Sequence, residues 1–111
     1  MNSMIKKVDW STTKRRALSA TEIVSALAKL EGWTLRGEGS ALAIAKVYTF
    51  ANYYQTMAFA NAVAFVAHVR DHHPDMSVTF NRCTVQFNTH DVGGISSTDF
   101  DCASAIDALL Q

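Results

Sequence analysis

The sequence is short of the devices that staple or interrupt small domains: two cysteines, one proline, and no surplus of either charge, ten basic side chains standing against ten acidic ones. Cys83 and Cys102 are too few and too far apart for a CxxC motif or a disulfide framework, so two reduced, mostly buried thiols are expected. A formal charge of zero gives the whole molecule no field to draw nucleic acid or an anionic membrane. No apolar run follows the charges near the first residues, so no signal peptide is visible and a cytoplasmic location is expected. The stretch from Val47 to Val69 lacks Lys, Arg, Asp and Glu, but Asn52, Gln55, Asn61 and His68 interrupt it, and a buried helix is expected there instead of a membrane span.

What the chain does have is apolar bulk, 49% of its 111 residues, which is enough to fill one core without staples. Lys6, Lys7, Lys14, Arg15 and Arg16 crowd the first sixteen positions. No aromatic interleaving accompanies them beyond Trp10, so residues 1–17 read as a solvated basic arm ahead of one domain over residues 18–111.

Within that domain Ser19-Ala20-Thr21-Glu22 has the spacing of a capping box and opens a helix whose apolar positions include Ile23, Leu27 and Leu30, with Gly32 beyond its end. Trp33 to Arg36 and Ala41 to Phe50, separated by the turn cluster Gly37 to Ser40, read as a hairpin. A second helix is expected from about Asn52 to Arg70, because Pro74 forbids a helical His73 and places His72 at or just past the helix end. Val78 and Phe80, then Cys83, Val85 and Phe87, alternate as a second hairpin turning at Asn81-Arg82. After Gly93-Gly94, Ser96-Ser97-Thr98-Asp99 opens a last helix. The expected class is α+β, a four-stranded antiparallel sheet with three helices on one face in the order α-β-β-α-β-β-α.

All four histidines, His68, His72, His73 and His90, fall between the second helix and the end of the fourth strand. Imidazole gives and takes a proton near neutral pH, so such a group at element ends suits general acid/base work. Each ring could equally cap or pack locally. A metal site is the other alternative, since His68 and His72 are four apart, but no carboxylate lies between them as in HExxH and a third ligand would have to come from another element.

The run His68-x3-His72-His73-Pro74, with Phe80 six positions after the proline, His90 ten further on and Asp99 nine after that, resembles the signature of pterin-4a-carbinolamine dehydratases. The resemblance extends to Leu18-Ser19 through Trp33-Thr34 and to Thr89-His90 through Ala103. It implies loss of water from 4a-hydroxytetrahydropterin to form the quinonoid dihydropterin, in the recycling of the cofactor of aromatic amino acid hydroxylases, with no metal and no cofactor of the enzyme's own. It implies His72, His73 and His90 as catalytic, His72 and His90 exchanging protons while His73 binds and stabilises the cation. Further substrate contacts are implied at Asp71, His68, Phe80 and Asp99. A homodimer or homotetramer is implied too, and an alternative life as a non-catalytic dimerisation partner of the coactivator kind.

Asp99 carries two readings: at the acidic position that the resemblance places near the site, a carboxylate could orient a histidine or stabilise its protonated form, and Ser96-x-x-Asp99 is also a cap for its own helix. Two positions depart from the pattern. His68 stands where many members have Glu, and Met76 where a Trp is frequent, which removes one ring that could stack on a pterin.

Overall fold

The computed structural model describes residues 15–111. The elements follow the expected order: α1 (Ala20–Leu27), β1 (Thr34–Arg36), β2 (Ala43–Thr49), α2 (Tyr53–Arg70), β3 (Asp75–Val78), β4 (Arg82–Phe87) and α3 (Ser97–Ala108). The four strands form one antiparallel sheet in the order β1-β2-β4-β3. The two hairpins therefore join through β2 and β4, with Ile44 opposite Phe87 and Tyr48 opposite Cys83.

That register puts alternate residues on a common face. Ile44 and Tyr48 of β2 lie with Cys83, Val85 and Phe87 of β4 in the core, against Ile23 of α1, Phe59 and Val63 of α2, and Cys102, Ala103 and Ile106 of α3. All three helices thus cover the same side of the sheet. A side chain as completely buried as Phe87 contributes about 1.5–3 kcal/mol relative to exposure, so this face accounts for most of what holds the layers together.

The helix ends are chemically specified. Ser19 and Glu22 form the expected capping box of α1, Asn52 Oδ1 accepts from the Gln55 amide at the start of α2, and Ser96 and Asp99 form a second capping box on α3. One boundary differs from expectation. The third strand begins at Asp75, directly after Pro74, and ends at Val78, so Phe80 belongs to the turn, where its carbonyl accepts from Thr56 Oγ1. Lys6, Lys7 and Lys14 lie outside the described residues, whereas Arg16 is paired with Glu22 and Arg15 with Asp91.

Candidate active site

The end of α2 explains how two adjacent histidines are presented. Asp71 takes the left-handed conformation at φ 49° and closes the helix with a pair of bonds, from its own amide to the His68 carbonyl and from the His72 amide to the Ala67 carbonyl, each 3.1 Å. Pro74 then holds the chain extended into β3. Between these constraints His72 turns inward and is 8% exposed, while His73 stays on the surface.

Two residues hold the His72 ring, Phe87 and Asp99. Phe87 lies parallel to it, with ring centroids 5.7 Å apart and planes 9° from parallel. His72 Nε2 is 2.6 Å from Asp99 Oδ1. The other oxygen, Oδ2, accepts from Thr89 Oγ1 at 2.7 Å and from the Ser96 amide at 2.9 Å. Because a carboxylate only accepts, the proton on the facing ring nitrogen is assigned: Nε2–H donates, and in the neutral ring Nδ1 keeps its lone pair. Thr89 Oγ1, having spent its proton on Asp99, accepts in turn from Ser96 Oγ at 2.8 Å.

Thr89 is also the residue ahead of His90. Its bridge to Gly94 closes a short turn, His90–Val92, that ends on Gly93 in the left-handed region at φ 67°. One buried carboxylate on α3 thus ties together the end of α2, which carries His72, and the turn that carries His90. An open cavity of about 280 Å³ lies between them, lined by Asp71, His72, His73, Asn88, Thr89, His90 and Asp91, with Arg15 completing its wall.

His72, His73, His90 and Asp71 therefore come together as the spacing implied. Asp99, expected among the substrate contacts, is fully buried with both oxygens occupied, so it acts behind His72 instead of touching a ligand. Both readings of this residue coexist, since the same carboxylate caps α3. His68 is exposed on α2 and does not line the cavity; nor does Phe80, at the far end of the β3–β4 hairpin and 64% exposed. Among the described residues no group of three or more His, Cys, Asp or Glu side chains is arranged to hold a metal ion.

Residues 16–109 match the family described as Pterin 4 alpha carbinolamine dehydratase. The chain belongs to that family. A Paracidovorax citrulli protein, provisionally named pterin-4-alpha-carbinolamine dehydratase, is 62% identical over 109 residues, covering 98% of this chain and 94% of its own length. A Bdellovibrio bacteriovorus protein with the same provisional name is 53% identical over 98 residues, 85% of this chain and 78% of that one. The crystal structure of a transcriptional coactivator/pterin dehydratase from Brucella melitensis superposes with a TM-score of 0.79 at 27% identity, over 86% of this chain and all of that one. A pterin dehydratase-like RuBisCO assembly factor of the alpha-carboxysome shares the fold, with a TM-score of 0.61 at 21% identity over 71% of this chain and 89% of that one.

Carbinolamine dehydratases are hydro-lyases. Reasoning from sequence missed Arg15, Asn88, Thr89 and Asp91 as cavity residues. Thr89 and Asp91 flank a histidine already singled out, which was the available signal; for Arg15 there was none, because its partner is 76 positions away.

Proposed function

We propose that the chain dehydrates 4a-hydroxytetrahydropterin to the quinonoid dihydropterin, with His72 and His90 exchanging protons and His73 binding the ring system. The supporting observation is the convergence of His72, His73 and His90 on one cavity, with the His72 tautomer set from behind by Asp99. In the reaction a proton is delivered to the C4a hydroxyl, which leaves as water. The N5 lone pair forms the C4a–N5 double bond, and the N5 proton is given up. One proton enters at oxygen and one departs from nitrogen, so two opposed imidazoles suffice. With Nε2–H committed to Asp99, His72 meets the substrate through Nδ1, as a base when neutral and an acid when protonated.

The test follows quinonoid dihydropterin formation from hydroxylase-generated carbinolamine, with metal analysis of the same protein sample. Acceleration that His72→Ala and His90→Ala each reduce by about 10²-fold or more supports the assignment. Near wild-type rates in both variants overturn it.

The same reading places the protein in tetrahydrobiopterin recycling beside an aromatic amino acid hydroxylase, in the cytoplasm, as a homodimer or homotetramer. The exposed Tyr53, Tyr54 and Phe65 on α2 support a face covered by another copy, and the free, buried Cys83 and Cys102 suit a reducing compartment. A second reading, a non-catalytic dimerisation partner, draws on the similarity to the Brucella melitensis transcriptional coactivator/pterin dehydratase. Rescue of the cellular function by a variant lacking all three cavity histidines favours it.

A further inference from the structure

We propose that Arg15 is a positioning residue of the cavity, acting through Asp91 to hold the turn that carries His90; this rests on the dehydratase reading above. Arg15 Nη2 lies 2.6 Å from Asp91 Oδ2, and the arginine side chain is 18% exposed against 70% for the aspartate. The cation is packed down against the domain while the carboxylate stands at the rim. Both line the cavity with His72, His73 and His90. Residue 15 immediately precedes the family-matched span of residues 16–109.

The turn needs such a restraint at its tip. Its base is held by the Thr89–Gly94 bridge and by the bond from Thr89 to Asp99. At the tip, His90 and Asp91 are exposed, and the turn itself is a single short 3-10 segment, His90–Val92, a poorly bonded geometry. The segment after Arg15 runs along the outside of this turn: the Leu18 amide donates to the Ile95 carbonyl at 2.8 Å, and Ala17 approaches Gly94. Arg15 is thereby delivered to Asp91, where a single charge-assisted bond restrains the separation of the two side chains.

For stability the pair counts for little, because Asp91 is largely solvated. A turn released from Arg15 samples its competent position for a fraction of the time, and apparent affinity falls by that fraction while bound substrate restores the position. The signature is therefore a raised KM with kcat preserved.

The experiment compares full-length wild type, Arg15→Ala, Arg15→Lys, Asp91→Asn and the double variant Arg15→Ala/Asp91→Asn in steady-state dehydration of 4a-hydroxytetrahydropterin. Amide hydrogen exchange of residues 89–94 is measured alongside. The expected result is a KM raised about threefold to tenfold in Arg15→Ala with kcat within about twofold, and part of the loss recovered by lysine. Arg15→Ala adds nothing further once Asp91→Asn is present, and the wild-type KM climbs toward that of the variant as salt screens the pair. Exchange over residues 89–94 quickens in Arg15→Ala. An unchanged KM, a loss confined to kcat, or single effects that multiply in the double variant overturns the proposal. If the wild type does not dehydrate the carbinolamine, the dehydratase reading fails on its own, and unaltered exchange protection in Arg15→Ala then overturns the positioning role separately.

Discussion

The two ends of α3 carry the same group in opposite service. Asp99, in the first turn, and Asp107, near the last, are carboxylates that each accept from three donors. Asp99 takes His72 on one oxygen and Thr89 and the Ser96 amide on the other. Asp107 takes Lys46 Nζ at 2.9 Å and Tyr48 Oη at 2.5 Å on Oδ1, and Trp33 Nε1 at 3.1 Å on Oδ2. The larger cavity, about 560 Å³, is beside Asp107, yet it contains no histidine. The Tyr48 hydroxyl beside Asp107 is pushed far above its ordinary range, chiefly by burial and then by its bond to Asp107. The network at Asp99 instead ends on an imidazole that opens onto a cavity. What distinguishes the two carboxylates is the partner each holds, an imidazole that lines a cavity at Asp99 and an ammonium, a phenol and an indole at Asp107; neither the burial of the acid nor the size of the neighbouring hole decides it.

Asp99→Asn tests that contrast most severely. An amide offers one accepting oxygen, so either His72 Nε2–H or the pair Thr89 and Ser96 must face an N–H. We expect kcat to fall about 10²-fold to 10⁴-fold, with a loss of about 1–3 kcal/mol in denaturant unfolding from the opposed N–H groups. Asp107→Asn sets the facing amide against the Trp33 N–H and should cost about 1–3 kcal/mol of stability. Its activity per folded molecule should remain within about twofold of wild type. Equal losses of kcat in the two variants would break the distinction.

A smaller effect sharpens it from another side, because α1 repeats the serine-and-acid cap of α3 in solvent. The Arg16 guanidinium beside Glu22, together with the Ser19 amide, holds that carboxyl down at about 2. A depressed acid stabilises the fold above the ordinary carboxylate range and loses that contribution as pH falls through its folded value. Glu22→Gln should therefore melt slightly below wild type at neutral pH, the gap closing as pH is lowered toward about 2. Melting temperature against pH measures it, and a gap that persists in acid would remove the ion pair from the account.

Caps and period carried most of the fold in advance. Ser19 and Ser96 sit where side chains must satisfy orphan amides, and the alternation of Cys83, Val85 and Phe87 names a half-buried strand. The order β1-β2-β4-β3 was not legible, because hairpin links specify only neighbours within each pair. In the site, local chemistry was readable: a lone proline ends a helix and presents His72 and His73. Long-range chemistry was not. That His72 is the histidine Asp99 holds, and that Arg15 reaches Asp91, depend on packing between segments with no shared period. Phe80 shows the reverse error, a residue whose spacing fits the pattern but whose place in a turn takes it from the cavity.

The parallel ring beneath His72 has an optical consequence. Phe87 separates His72 from Trp33, whose buried indole lies 6.1 Å from it at 33°. Anything that tilts the imidazole presses on the phenyl ring and through it on the indole, so the emission of Trp33 carries information about what occupies the cavity. Trp10 is the only other tryptophan in the chain. With it replaced by phenylalanine, the protein becomes its own single-fluorophore titration probe, read by light with no label attached.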